Sequence, residues 1–174
     1  SASGTNESKG WLDLVRALSL LEPEQRKRFH VAVIGEQPDE LLRAQATAYG
    51  VCAHLSFLGV VDDVRAVLLA CDLGFVLSYH EALSYACREK MALGLPVLVT
   101  GVGGLPENVS DDHEGWIVPP RSPELIKDIL LKILANPDRL HTMGALARAR
   151  AERDFNLDHF IESTVAVYQS SRAA

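Results

Sequence analysis

The chain has 174 residues, 48% of them hydrophobic and 23% charged, the proportions of a single soluble globular domain built around one main core. A net charge of -6, with no stripe of basic residues, argues against a nucleic acid backbone as partner, so any anionic ligand must be met by local groups. No apolar run reaches the ~18 residues of a membrane span, and the opening SASGTNESKG is too polar for a signal peptide.

Trp11, Leu14, Val15 and Leu18 recur at helical spacing and predict a first helix that stops near Glu22 and Pro23. VAVIG (31–35) reads as a strand buried on both faces. Pro38 opens a second helix, with Asp39 and Glu40 in its first turn and Gly50 just past its end. HLSFLG (54–59) is the next strand, and Val64, Val67, Leu68 and Cys71 form another helical stripe. LGFVLS (73–78), the helix LSYACREKMALG (83–94), and the strands PVLVT (96–100) and GWIVP (115–119) follow. From Ser122 onward the pattern is helical, broken by ANPD (135–138). Apolar strands alternating with amphipathic helices predict an α/β domain, a doubly wound parallel sheet covered on both faces.

Such a sheet ordinarily begins with a strand, yet only the polar SASGTNESK precedes the first helix. The chain is therefore expected to start partway into a larger protein, with its first strand missing or truncated. Cys52, Cys71 and Cys87 are odd in number, lack C-x-x-C spacing and lie among apolar residues. They read as buried thiols of a protein in a reducing compartment, the cytoplasm.

In open α/β sheets, ligands lie outside the carboxyl ends of the strands, where helix N-termini offer free N–H groups. The segment 78–83 is such a loop. Glu81 before its helix and Glu89 in the second turn are at most ~12 Å apart along the axis, a spacing suited to two contacts on an extended ligand. It does not favour the closer carboxyl pair of a glycosidase. Taken alone, two glutamates so placed are ordinary solvated charges.

Their surroundings say more. SYHEALSYACREKMALGLPVLVTGVGGLPENV (78–109) resembles the E-x7-E signature of the retaining GT-B glycosyltransferases, family 4. KG (9–10), VAVIG, FLGVVDD (57–63), ACDLGFVLS (70–78) and EGWIVPP (114–120) occur in that family's order. The likeness covers nearly the whole chain, 1–174, as one nucleotide-sugar-binding domain: the C-terminal half of a GT-B fold with a helical C-terminus.

The resemblance implies site residues. Glu81 matches the catalytic-site glutamate that contacts hydroxyls of the transferred sugar, and Glu89 the one that holds the ribose. Lys9 matches the lysine that meets the pyrophosphate. Backbone amides of Leu83, Ser84 and Tyr85 are expected on sugar and phosphates, with Val61 and Asp63 where the base is held. Oriented N–H donors and a fixed cation suit phosphate, and carboxylates suit sugar hydroxyls. No metal or cofactor is expected. The expected substrate is a UDP- or GDP-linked hexose, and the expected partner is the enzyme's own N-terminal domain, through which alone any peripheral membrane contact would come.

The chain departs from the family pattern in places. Ala82 and Ser84 stand where glycines are frequent, Arg88 and Lys90 replace an apolar residue and an alanine, and the usual arginine before Lys9 has no counterpart. Arg88 and Lys90 are expected either at the solvent edge or near phosphate. These departures leave an alternative: a non-catalytic nucleotide-binding or scaffolding domain with a decayed site. Pro106 in GVGGLP (101–106) excludes a dinucleotide fingerprint, leaving an open turn, and Ser84 in HEALS (80–84) breaks a zinc-protease motif. Leu157, Phe160, Ile161, Val165 and Tyr168 give the last helix an apolar stripe expected at a domain boundary.

Overall fold

The computed structural model describes residues 5–172, the side chains of His159, Ser171 and Arg172 aside. A 3₁₀ turn, Glu7–Lys9, leads into α1 (Trp11–Ser19), whose predicted stripe of Trp11, Leu14, Val15 and Leu18 is buried throughout. Pro23 then starts a separate single turn, α2 (Pro23–Arg26), because proline is accommodated only at the beginning of a helix. Next come β1 (Val31–Ile34) and α3 (Glu40–Ala48), the latter capped by Asp39, which accepts the Leu42 N–H at 2.8 Å. A 3₁₀ turn (Cys52–His54), β2 (Leu55–Gly59) and α4 (Val64–Leu69) complete this part.

The chain continues through β3 (Gly74–Val76), α5 (Tyr85–Ala92), β4 (Val97–Thr100), α6 (Leu105–Asn108) and β5 (Gly115–Val118). It ends in α7 (Pro123–Ala135), α8 (Arg139–Asp154) and α9 (Leu157–Arg172). The turn α6 is a departure from the open loop expected after β4; Pro106 near its start is compatible with a helix beginning there.

All strand pairings are parallel, as continuous apolar strands require. The sheet is nevertheless divided among the described residues: β1 pairs with β2, and β3, β4 and β5 form a separate three-stranded sheet with β4 in the middle. Successive residues of the three-stranded piece face opposite layers. Phe75, Leu77 and Leu98 join a core with α1 and α7, while Val76, Val97 and Val99 join a second one with Cys87 and Met91 of α5 and Ala147 of α8. That alternation makes an α/β/α sandwich.

The cysteines do not share the burial expected of them. Cys87 is buried, Cys71 half-buried and Cys52 exposed, because Cys52 lies in the surface turn before β2. No helix among the described residues is long and apolar enough to cross a membrane.

Candidate functional site

Three loops meet beyond the carboxyl ends of β3 and β4. Residues 5–10 come first, 78–84 lie in the middle and 101–104 close the other side. The Tyr79 N–H donates to Ser8 O at 2.8 Å, tying the first loop to the second. The Gly104 N–H donates to Ala82 O at 2.7 Å, tying the second to the third. Gly103 has φ +52, and a Cβ there would lie 1.7 Å from Glu81 O. Only glycine permits that approach, so the turn read from sequence as merely open is a brace behind Glu81.

Lys9 and Glu81, 72 positions apart in sequence numbering, are brought together: Lys9 Nζ lies 3.7 Å from Glu81 Oε2. Ser78 Oγ donates to the same carboxylate oxygen at 3.0 Å, and the Thr100 hydroxyl at the end of β4 donates to Ser78 O at 2.6 Å. The carboxylate is thus oriented by one cation and one hydroxyl. Both Lys9 and Glu81 are only partly exposed, so the pair is better shielded than an ordinary surface ion pair.

Ser84 is the N-cap of α5 and has φ +58, the left-handed conformation that explains why glycine suits this position. Its hydroxyl gives no capping bond. Ser84 Oγ is buried with no hydrogen-bond partner among the described residues, directly at the positive end of α5. Leu83 is anchored from below, its carbonyl accepting the Asn108 amide at 3.0 Å. Tyr85 is exposed at the first turn, and Glu89 is exposed one turn further along. Glu81 and Glu89 therefore flank the amino end of α5, as their spacing predicts.

Val61 and Asp63 occupy the loop after β2, beyond the other sheet. Val61 is half-buried, while the Asp63 carboxylate caps α4 by accepting the Ala66 N–H at 3.2 Å. A capping role for Asp63 was not evident from the sequence. His80 is exposed.

Of the two substituted basic residues, Lys90 departs from expectation. Lys90 is 1% exposed, its stem packed under Gly74 and its Nζ donating to Ala86 O at 2.9 Å. Burial lowers its pKa. Arg88 is half-buried: its Nε donates to Asn108 Oδ1 at 3.0 Å, the residue whose amide holds Leu83 O, and its guanidinium lies 4.3 Å from the Phe155 ring centroid. The burial of Lys90 beneath Gly74 and the partners of Arg88 depend on long-range packing that the local sequence does not show.

Sequence reasoning also missed a rim cluster. The Arg121 guanidinium stands 4.1 Å from the Tyr79 ring centroid, and burial together with the nearby Asp13 carboxylate pushes the Tyr79 phenol up to about 12. Desolvation raises Asp13 as well. Arg121 sits at φ +57 after β5, and no short-range signal joins it to Tyr79.

Comparison with known proteins places this geometry. Residues 3–150 match the family model of glycosyl transferases group 1. A D-inositol 3-phosphate glycosyltransferase of Kribbella flavida is 32% identical over 174 aligned positions, covering 91% of this chain and 40% of that protein. The crystal structure of Anabaena HepE in complex with UDP superposes with a TM-score of 0.84 at 26% identity, covering 97% of this chain and 47% of HepE. The C-terminal domain of a Francisella tularensis glycosyl transferase group 1 protein shares the fold, with a TM-score of 0.77 at 20% identity over 88% of this chain and 83% of that domain. The chain thus spans less than half the length of the two full-length relatives.

Proposed function

The chain belongs to the glycosyl transferases group 1 family, and from that premise we propose that it is the donor-binding half of a retaining GT-B enzyme with the E-x7-E signature. Its substrate is a UDP- or GDP-linked hexose, transferred to a glycan or lipid acceptor. The single observation that carries this reading is the convergence of Lys9, Glu81 and the unpartnered Ser84 hydroxyl at the amino end of α5. One cation and a helix N-terminus suit a pyrophosphate; a carboxylate held beside them suits sugar hydroxyls. The complex of HepE with UDP supports a nucleotide diphosphate as the ligand class.

In this reading Lys9 and the amides of Leu83, Ser84 and Tyr85 stabilise the negative charge that grows on the diphosphate as the sugar–oxygen bond breaks. No metal is assigned to that task. Glu81 orients the transferred sugar, Glu89 accepts hydrogen bonds from the ribose, and the Val61–Asp63 loop borders the base. The acceptor and the exclusion of water come from an N-terminal domain. The exposed side chains of Leu157, Phe160, Ile161, Val165 and Tyr168 on α9 support a boundary with that domain.

Isothermal titration tests the assignment of the two glutamates. Glu89→Gln should weaken nucleotide diphosphate and nucleotide sugar alike, by about 1.5 to 3 kcal/mol, the range for hydrogen bonds to a charged group. Glu81→Gln should leave the bare nucleotide nearly unchanged and remove only the extra affinity contributed by the sugar. Equal weakening of bare nucleotide by both variants overturns the assignment. Nucleotide binding with no sugar-dependent increment in the unsubstituted full-length protein favours the non-catalytic alternative.

A further inference from the structure

The loop that carries Glu81 ends in a peptide under strain. Ser84 has φ +58, a left-handed conformation that residues with a Cβ rarely adopt. Turning over the single peptide plane between Leu83 and Ser84 relieves that strain, and it also reverses the direction of the Ser84 N–H. We propose that Asn108 and Arg88 are positioning residues that hold this peptide, and with it the Ser84 N–H, in the orientation a diphosphate needs. The inference rests on the functional reading above, in which that N–H meets the donor's diphosphate.

Asn108 is fully buried at the end of α6, and its Nδ2 donates to Leu83 O at 3.0 Å. No peptide bond among the described residues is cis, so the Leu83 C=O and the Ser84 N–H point in opposite directions from one planar unit. A bond that draws Leu83 O toward Asn108 therefore turns the Ser84 N–H away from it. A flipped peptide gives that bond up and leaves a buried amide without its acceptor, which opposes the flip. The neighbouring peptides are held separately: Ala82 O accepts the Gly104 N–H at 2.7 Å, and Ser84 O accepts the Cys87 N–H at 3.1 Å. The Leu83–Ser84 peptide is thus one movable unit between two fixed ones, and Asn108 is what grips it.

Arg88 decides which way round Asn108 sits. An asparagine amide can turn over and exchange its donor for its acceptor. The Arg88 Nε–H can only donate, and it lies 3.0 Å from Asn108 Oδ1, so Nδ2 is left to face Leu83 O. The guanidinium is in turn held 4.3 Å from the Phe155 ring centroid, where α8 gives way to α9. Two positions at which this chain departs from the family pattern are thereby complementary. Serine at 84 makes the peptide need a grip, and arginine at 88 supplies the donor that orients the residue gripping it.

The test uses the full-length protein, with UDP and GDP as diphosphate probes and uridine and guanosine as nucleosides without phosphate. For whichever base binds, Asn108→Ala should weaken the diphosphate about tenfold and the nucleoside less than about twofold, since one buried hydrogen bond is lost and only the phosphate meets the Ser84 N–H. Arg88→Leu should act with the same selectivity but only about threefold, because Asn108 remains present though unoriented. Glycine carries no strain at φ +58, so Asn108→Ala made in a Ser84→Gly chain should weaken the diphosphate less than about threefold relative to Ser84→Gly alone. In the ligand-free protein, the strong NMR contact between the amide and α hydrogens of Ser84 that a positive φ produces should weaken in both single variants. Equal losses for diphosphate and nucleoside overturn the proposal, because they mark a general loss of structure. A tenfold loss that persists in the Ser84→Gly chain also overturns it, as does an unchanged Ser84 signal. If Asn108→Ala does not fold, Arg88→Leu decides by the same criteria. Failure of the unsubstituted protein to bind any of the four probes refutes the functional reading instead, and the Ser84 signal alone then decides whether Asn108 and Arg88 hold the peptide.

Discussion

The two pieces of sheet carry different burdens. In β3, β4 and β5 every residue but Ile117 is buried, and the loops beyond β3 and β4 are pinned by Tyr79, Ser78, Thr100 and Gly103. In β2 no residue is fully buried, and Leu58 and the adjoining Val60 are exposed. The loop beyond β2 carries Val61 and Asp63 and is held chiefly by a helix cap. The difference teaches where the molecule requires exact geometry. Glu81, Ser84 and Glu89, assigned to the donor's sugar, phosphate and ribose, stand on the more buried piece, with the Lys9 loop tied to it through Ser8, and those assigned to the base stand on the more exposed one.

The sharpest way to break this comparison is to add one methyl group to each piece. Gly103→Ala places a Cβ against Glu81 O at a positive φ and should cost about 4 kcal/mol, seen as a fall in the urea midpoint and in nucleotide affinity together. Gly50→Ala, at φ +67 but with no atom within 4 Å, should cost only about 1 kcal/mol of backbone strain. Comparable losses at the two sites would show that the contact with Glu81 does not govern the more buried piece.

Side-chain truncation should give the next largest contrast. Leu98→Ala, at a fully buried position in the central strand, is expected to lose about 3 kcal/mol in chemical denaturation. Leu58→Ala, 42% exposed in β2, should lose less than about 1 kcal/mol. A loss at Leu58 matching that at Leu98 means that β2 is covered in solution.

The smallest effect is in pH dependence. Burial lowers the folded-state pKa of Lys90, so in the interval between that value and the ordinary lysine range the unfolded chain binds more protons than the folded one. Stability from this group therefore rises with pH across that interval, by at most about 1.4 kcal/mol per unit, and is lowest when the buried amine is charged. A denaturation series at pH values below the ordinary lysine range should show the slope, and Lys90→Met should flatten it. A slope unchanged in Lys90→Met assigns the effect to another group.

How much of this was legible in sequence follows from the range of the forces involved. Apolar runs marked every strand, and apolar spacing or end signals such as Pro38, Asp39 and Gly50 marked the longer helices, because each leaves a pattern within about ten residues. Glu81 and Glu89 were legible for the same reason: their separation is set by one helix and the loop before it. The family resemblance added Lys9, which spacing alone could not connect to Glu81. By contrast, Lys90 was misplaced and the partners of Arg88 went unread, since Gly74, Asn108 and Phe155 lie 16 to 67 positions away in the numbering.

What the sequence by itself determined is therefore the order of strands and helices, the parallel α/β class and the flanking of one helix start by two carboxylates, all consequences of local periodicity and chain direction. Tertiary structure alone decided that Lys9 meets Glu81, that Gly103 braces it, that Arg121 stacks on Tyr79, and that the sheet opens between β1 and β3. Those contacts join segments distant in the chain, and whether they form depends on how closely two backbones approach in the packed molecule, which no short window of residues encodes.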